Sequence, residues 1–127
     1  MQSFLDEISV ALNPSQLEVL GEKALQEGII DILIKEVTAV PSPKKIAIEV
    51  KSNIATMEDL MQLKAYLNTL GRDCLKGVLI AAAFQKSVMK RASESNVVPV
   101  KYDVSFGPSP HATFESLVQT IHLSKAV

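Results

Sequence analysis

The chain has few of the residues that small proteins use for covalent or metal crosslinks. Its 127 residues include one cysteine, Cys74, and two histidines, which exclude an internal disulfide framework and are too few for a zinc cluster of the usual spacing. A lone cysteine fits a reducing compartment. We therefore expect a cytoplasmic protein in which Cys74 is a small, partly buried apolar residue rather than a nucleophile.

The sequence also lacks long apolar runs and an excess of charge of either sign. Its apolar runs are far shorter than the ~20 residues that span a bilayer, and no signal-peptide pattern opens the chain, so we expect no membrane association. The 13 basic and 14 acidic residues give a net charge of −1, so contact with nucleic acid would need a local basic patch. The composition, 47% hydrophobic and 21% charged, predicts a single globular domain over residues 1–127.

The first quarter of the chain contains a predicted helix followed by an ambiguous segment. Helical spacing of apolar residues, with acids early in the segment, predicts a helix over residues 2–12 that ends at Pro14. Residues 15–27 fit a second helix, since Ser15 and Glu18 could form a capping box. They also fit a strand that turns back into the next one. The apolar pattern alone slightly favours the helix.

The rest of the chain alternates strands with helices. Two apolar, β-branched runs flank a Pro-Ser-Pro turn, which predicts a hairpin of adjacent strands. The pattern then predicts a helix, a strand, a helix, a strand and a final helix, at residues 56–71, 77–84, 85–96, 97–104 and from 113 onwards. Pro99 favours an edge position for the last strand. This alternation predicts an α/β sandwich around a mixed sheet, with right-handed crossovers.

Three ionisable side chains stand out on the hairpin. Side chains alternate between the two faces of a strand, so Glu49 and Lys51 share a face that Val50 does not. Asp31 lies in a run that is apolar on both faces, which predicts a strand buried on both sides. An acid in such a run is costly unless it is paired or binds a metal.

Two acids and a lysine on neighbouring strands suit the hydrolysis of a phosphodiester. Carboxylates bind Mg²⁺ while leaving water molecules on the ion, which acidifies them and orients their attack. We expect Asp31 and Glu49 to bind Mg²⁺ or Mn²⁺, with the backbone carbonyl of Val50 as a further ligand. Lys51 would align or activate the water or stabilise developing negative charge. The alternative is a solvated strand face with a structural ion pair.

These residues resemble the PD-(D/E)xK nuclease superfamily, in which an Asp precedes Glu-x-Lys on the next strand. GIID and IAIEVK fit that motif, with Ile30 where a proline often stands. Gln62 and Tyr66 match the Gln-xxx-Tyr helix motif of RecB-like members, which implies that they orient Lys51 or contact the nucleic-acid backbone. Residues 76–103 resemble NucS-type endonucleases, and KIAIEVKS with the helix after it resembles XisH-type element-excision proteins.

The resemblance implies a restriction-endonuclease-like sandwich with helices on a central mixed sheet, in the order α-β-β-β-α-β-α-β-α. In this family a strand precedes the one that carries the Asp, which favours the strand over the helix at residues 17–25. An acid on the first helix often assists the metal, which implies a role for Glu7, with Glu22 as the alternative.

The implied function is that of a metal-dependent deoxyribonuclease acting on DNA in repair or recombination. A domain this small has little surface for sequence recognition, so we expect a homodimer, a partner subunit or recognition of DNA structure. The strand near Pro99 and the last helix are the expected association surfaces. The alternative function is that of a non-catalytic accessory factor that keeps the nuclease-like fold and binds DNA or a partner in DNA excision.

Overall fold

The computed structural model describes residues 1–25, 28–37, 42–104 and 121–126. Three α-helices, two short 3₁₀ helices and eight strands lie within these ranges. The helices are α1 (Gln2–Glu7), α2 (Met57–Leu70) and α3 (Lys86–Ser93). The strands are β1 (Leu17–Leu25), β2 (Gly28–Glu36), β3 (Lys45–Val50), β4 (Ile54–Ala55), β5 (Cys74–Ala81), β6 (Ala83–Phe84), β7 (Val97–Val104) and β8 (Ile121–Lys125).

Six of these strands form one mixed sheet, in the order β1-β2-β3-β5-β7-β8. Strands β1, β2 and β3 are antiparallel neighbours, β3, β5 and β7 run parallel, and β8 returns antiparallel to β7. Helices α2 and α3 connect the parallel strands, which cannot be joined by a tight turn. The predicted α/β sandwich is therefore confirmed, including the strand rather than the helix at residues 17–25.

Apolar side chains pack on both faces of this sheet. Neighbours along a strand point to opposite faces, so Ala47 and Ile48 belong to different clusters. The cluster that includes α1, on what we call the α1 face, consists of Leu5, Ile8, Val10, Ile34, Ile46, Ile48, Val78, Ile80, Val98 and Val100. The cluster on the opposite face, the α2 face, consists of Ile30, Leu33, Ala47, Ala55, Leu60, Leu63, Tyr66, Cys74, Leu79, Ala81, Val88 and Val97.

Helix α2 begins and ends as its sequence predicts. The Thr56 hydroxyl accepts the backbone N–H of Asp59, and the Asp59 carboxylate accepts the backbone N–H of Thr56 at 2.8 Å, which together form a capping box. Gly71 follows the helix at φ +78°, a conformation that glycine adopts without strain. The helix packs closely on β5, because a Cβ at Gly77 would lie 2.9 Å from a methyl carbon of Leu67. No helix in the described ranges is both long enough and apolar enough to cross a membrane.

Cys74 lies at the start of β5 and is 8% exposed. Burial raises the pKa of its thiol above the ordinary value, and the hydrogen bonds and positive charge near it lower the pKa by less. A buried thiol with a raised pKa is a poor nucleophile. Cys74 therefore serves as a small core residue, as the sequence predicts.

Helix α1 is shorter than predicted, since it ends at Glu7 and not near residue 12. The chain leaves the helix through Ser9, whose φ is +59°, and this turn allows Val10 to be buried beside Ile8 on the α1 face. Pro14 does not end the helix. It begins a short 3₁₀ turn that the side chain of Asn13 caps.

The predicted edge position of Pro99 is wrong, because β8 covers β7 on that side. Pro99 is tolerated there because β8 ends beside it: the last ladder pair is Val100–Lys125, and the Pro99 carbonyl accepts the N–H of Ala126. The association surface expected near Pro99 is thus occupied by the chain's own strand. The predicted last helix lies outside the described residues, except for Ile121, which begins β8.

Candidate active site

The ladder between β2 and β3 ends where the ionisable side chains begin. Its last pair is Ile32–Ile48, so Asp31 and Glu49 lie one residue beyond it on their respective strands. Ile29 is 58% exposed, which makes the prediction that β2 is buried on both sides wrong at its first residues. The pairing with β3 has already ended there, and the side chain of Ile29 faces solvent.

The backbone is also irregular beside Asp31. Strict alternation would place Ile30 on the α1 face, but Ile30 packs on the α2 face with Leu33. The ladder of β1 with β2 pairs Gly21 with Ile32 and Lys23 with Ile30. The β1 residue between these pairs, opposite Asp31, is Glu22, and its φ is +47°. A non-glycine residue in that conformation costs about 1–2 kcal/mol, and strain of this kind collects at functional sites.

The carboxylates of Asp31 and Glu49 bridge the space between the two strands. The backbone N–H of Asp31 donates to Oε1 of Glu49 at 3.2 Å, and the backbone N–H of Val50 donates to Oδ2 of Asp31 at 2.8 Å. Each acid therefore accepts an amide of the opposite strand that the ladder no longer pairs. This reciprocal bonding fixes the two side chains next to each other.

Glu49 is 5% exposed and is the only buried charged residue in the described part of the chain. Burial raises the pKa of its carboxyl above the ordinary value, and the negative charge of Asp31 raises it further. The backbone hydrogen bond from Asp31 and the charge of Lys51 lower this pKa, but by less. Two acids held in this way favour a bound cation, which would relieve their repulsion.

Lys51 lies between two carboxylates on the α2 face. Its ammonium nitrogen is 3.8 Å from Oε2 of Glu49 and 3.4 Å from Oδ1 of Asp59, in the first turn of α2. Burial lowers the pKa of Lys51, but the charges of Asp59 and Glu49 outweigh it, and the net shift is upward. At neutral pH the side chain is therefore a cation. It can stabilise negative charge but cannot accept a proton.

Comparison with known proteins identifies the family. The family model described as the endonuclease NucS C-terminal domain matches residues 12–106, which is most of the chain. The chain belongs to the NucS C-terminal domain family. The resemblance to PD-(D/E)xK nucleases, and to NucS-type endonucleases in particular, is thereby confirmed. No curated protein matches this chain.

Two solved structures share the NucS-type fold with this chain. A repair endonuclease from Pyrococcus abyssi aligns with a TM-score of 0.54 and 16% identity, over 76% of this chain and 42% of that one. EndoMS in a complex with dsDNA aligns with a TM-score of 0.51 and 22% identity, over 74% of this chain and 39% of that one. The chain thus spans about two fifths of the length of each of these structures.

The Gln-xxx-Tyr motif of this NucS family member contacts the strand that carries Asp31. Tyr66 is 3% exposed, and its hydroxyl donates to the carbonyl of Ile29 at 3.1 Å. A Cβ at Gly28 would lie 2.8 Å from that hydroxyl and 3.5 Å from the amide nitrogen of Gln62, so the motif faces a glycine. Tyr66 therefore fixes the start of β2. Its hydroxyl bonds to the backbone of that strand, and the expected roles of the motif in orienting Lys51 or contacting the nucleic-acid backbone stay predictions.

Among the residues that the structure describes, neither Glu7 nor Glu22 has a place in a cluster of metal ligands. Within the described part of the chain, no group of three or more Asp, Glu, His or Cys side chains is arranged to hold a metal ion. Glu7 ends α1, whose buried residues pack on the α1 face, whereas Glu49 shares the α2 face with Ala47. The two acids that hydrogen bonds hold next to each other are Asp31 and Glu49.

Sequence analysis missed Asp59 as a member of this site. Its position three residues after Thr56 predicts a helix cap, and it is one. Burial raises the pKa of Asp59, but the hydrogen bonds from Thr56 and the charge of Lys51 bring it below the ordinary value. The signal in the sequence was the capping box itself. It places an acid on the first turn of α2, and that turn follows the Glu-x-Lys segment closely along the chain.

Proposed function

We propose that this chain is the catalytic module of a metal-dependent nuclease that hydrolyses phosphodiester bonds in DNA. The observation that supports this proposal is the acid pair of Asp31 and Glu49, bonded to each other's strands and flanked by the ammonium of Lys51. Membership of a NucS family agrees with it. Residues 1–127 would form one nuclease-like domain.

Asp31 and Glu49 would hold Mg²⁺ or Mn²⁺. The donor set fits these ions, which bind through one or two carboxylates and keep other positions for water and substrate phosphate. The N–H and C=O of a strand residue leave on the same side, and the N–H of Val50 points to Asp31, which favours its carbonyl as a further ligand. When bound, the ion supplies charge neutralisation on the phosphate and an acidified water.

Lys51 would act on the substrate through its charge. Its ammonium lies 3.8 Å from Oε2 of Glu49, where it would stabilise the negative charge that develops on the phosphate. Tyr66 would act indirectly, by holding the strand that carries Asp31. Gln62 is exposed on α2 beside Gly28 and would contact the nucleic-acid backbone.

A second copy or a partner subunit would complete the DNA-binding surface. The solved relatives are more than twice as long as the part of them that this chain matches, and one of them is an EndoMS–dsDNA complex. A domain of this size alone covers a short stretch of duplex. We therefore propose DNA as the substrate and an assembly as the active form.

The test is cleavage of single-stranded, duplex and branched DNA with Mg²⁺, with Mn²⁺ and with a chelator. We expect cleavage that requires the metal and falls about a thousandfold in Glu49→Gln, because a ligand is lost, and about a hundredfold in Lys51→Met, because one stabilising charge is lost. Glu58→Gln is the matched control. It removes the same charge from an exposed residue of α2, and cleavage should stay within about twofold.

Two results would count against the proposal. Binding of DNA by the unmutated protein without cleavage of any substrate favours the non-catalytic accessory factor. Absence of Mn²⁺ binding in calorimetry, or equal Mn²⁺ binding by the unmutated protein and Glu49→Gln, removes the acid pair as the ion site.

A further inference from the structure

Asp59 uses its two carboxylate oxygens for different partners. Oδ2 accepts the backbone N–H of Thr56 at 2.8 Å and its hydroxyl at 3.1 Å, which caps α2. Oδ1 lies 3.4 Å from the ammonium of Lys51. The cap fixes the carboxylate on the first turn of the helix, so the oxygen that faces Lys51 has a defined position.

Lys51 has a long side chain that is 37% exposed, and it needs a partner to stay in one place. Among the described residues it forms ion pairs with Asp59 at 3.4 Å and with Glu49 at 3.8 Å, so Asp59 is the closer by 0.4 Å, and the charge of Asp31 acts on it more weakly. If the charge of Asp59 were absent, Glu49 would be the remaining ion-pair partner. The ammonium would then move onto an acid of the pair that we assign to the metal ion.

We propose that Asp59 is a positioning residue, which holds the ammonium of Lys51 beside the acid pair and prevents it from closing onto Glu49. This inference rests on the proposed function. The capping box of α2 then has a second role, since the side chain that caps the helix also positions the ammonium of Lys51.

The experiment compares Asp59→Asn with Glu58→Gln in the full chain. Both variants remove one negative charge from the first turn of α2, and Glu58 is exposed and forms no ion pair among the described residues. The amide introduced by Asp59→Asn keeps an oxygen for the N–H of Thr56, so the cap survives while the partner of Lys51 is lost. Positioning is measured without metal, from the ¹³Cε resonance of Lys51, assigned by its loss in Lys51→Arg. Metal binding is measured by Mn²⁺ calorimetry.

In Asp59→Asn we expect the Lys51 resonance to move, the Kd for Mn²⁺ to rise about threefold to tenfold, and kcat to fall about tenfold with KM for DNA within about twofold. Glu58→Gln should change none of these. Asp59→Glu, which keeps the charge, should recover part of the Mn²⁺ affinity. If circular dichroism shows that Asp59→Asn is unfolded, Asp59→Glu takes its place in the comparison.

An unmoved Lys51 resonance or an unchanged Kd for Mn²⁺ in folded Asp59→Asn overturns the inference. Equal effects of Asp59→Asn and Glu58→Gln also overturn it, because they would reflect the helix charge alone. A protein that cleaves no DNA, but whose Lys51 moves in Asp59→Asn, refutes the proposed function and leaves the positioning role standing.

Discussion

The two faces of the same strands do different work in this protein. On the α1 face, Ile46 and Ile48 of β3 are buried among aliphatic side chains, and the cluster continues across β5 and β7. On the α2 face, β3 presents Ala47 to the core and then Glu49 to the acid pair. Ile48 and Glu49 are adjacent in sequence, and both are nearly inaccessible to solvent. The comparison teaches that a one-residue step along a strand separates an aliphatic core position, Ile48, from an acid that we propose as a metal ligand, Glu49.

The largest effect is expected when the chemistry of one face is moved to the other. Ile48→Glu places a carboxylate among Ile34, Val78 and Val100, where neither a lysine nor an amide of an open strand end is available in the described structure. Burial of an unpaired charge should cost more than about 4 kcal/mol and unfold the chain at room temperature. Urea titration measures it. A folded Ile48→Glu protein would show that the two faces are less different than their side chains suggest.

A smaller effect is expected from disturbing how α2 docks on its face. Gly77→Val adds side-chain atoms where a Cβ alone would already lie 2.9 Å from a methyl carbon of Leu67. Overpacking should cost about 1–3 kcal/mol, and displacement of α2 should lower the Mn²⁺ affinity. Gly21→Ala is the matched control, because a Cβ there meets nothing within 4 Å. Equal stability of the two variants would mean that the contact with α2 adapts without cost.

Loss of one hydrogen bond on the α2 face is expected to cost still less. Tyr66→Phe removes the donor to the carbonyl of Ile29 and leaves the buried ring in place. Because a single hydrogen bond makes a small net contribution, we expect a loss of about 0.5–1.5 kcal/mol in the free energy of unfolding. The Kd for Mn²⁺ should rise a few-fold, since Asp31 is two residues away. An unchanged Kd for Mn²⁺ in calorimetry would show that the Gln-xxx-Tyr motif does not support the acid pair.

The smallest effect concerns pH in the absence of metal. The pKa of Glu49 is raised by burial and by Asp31, so its ionised form is disfavoured in the folded protein. Stability should therefore fall as pH rises from the ordinary glutamate range through the raised pKa, and should change no further above it. Glu49→Gln should lack this loss, so at pH values above the raised pKa of Glu49 its Tm should exceed that of the unmutated protein. Saturating Mn²⁺ should reverse the order, and a pH-independent difference in Tm would contradict the assignment.

The parts of the fold and site that sequence predicts are those that depend on local pattern. Asp31, Glu49 and Lys51 could be brought together in advance because a hairpin and strict alternation fix neighbouring strands relative to each other. The cap of α2 at Thr56 follows from residues within four positions of it. These features need no knowledge of distant contacts.

The parts that sequence did not predict depend on contacts between distant segments. The pairing of Asp59 with Lys51 requires the angle at which α2 leaves the loop after β3, and no periodicity reports that angle. The bond from Tyr66 to Ile29 requires the close approach that Gly28 permits. Pro99 favours an edge because proline has no N–H for a ladder. The strand that nevertheless pairs there, β8, comes from residues far along the chain and is short, so its sequence signal is weak.

Helix α2 contacts the structure on both sides of the acid pair. Its first turn reaches Lys51 through Asp59, and its second half reaches the strand of Asp31 through Tyr66, seven residues and about 10 Å further along a rigid rod. The length of α2 therefore sets the distance between these two contacts. A shift of α2 as a whole would therefore move its contacts to Lys51 and to the strand of Asp31 together, which links the geometry on the two sides of the acid pair.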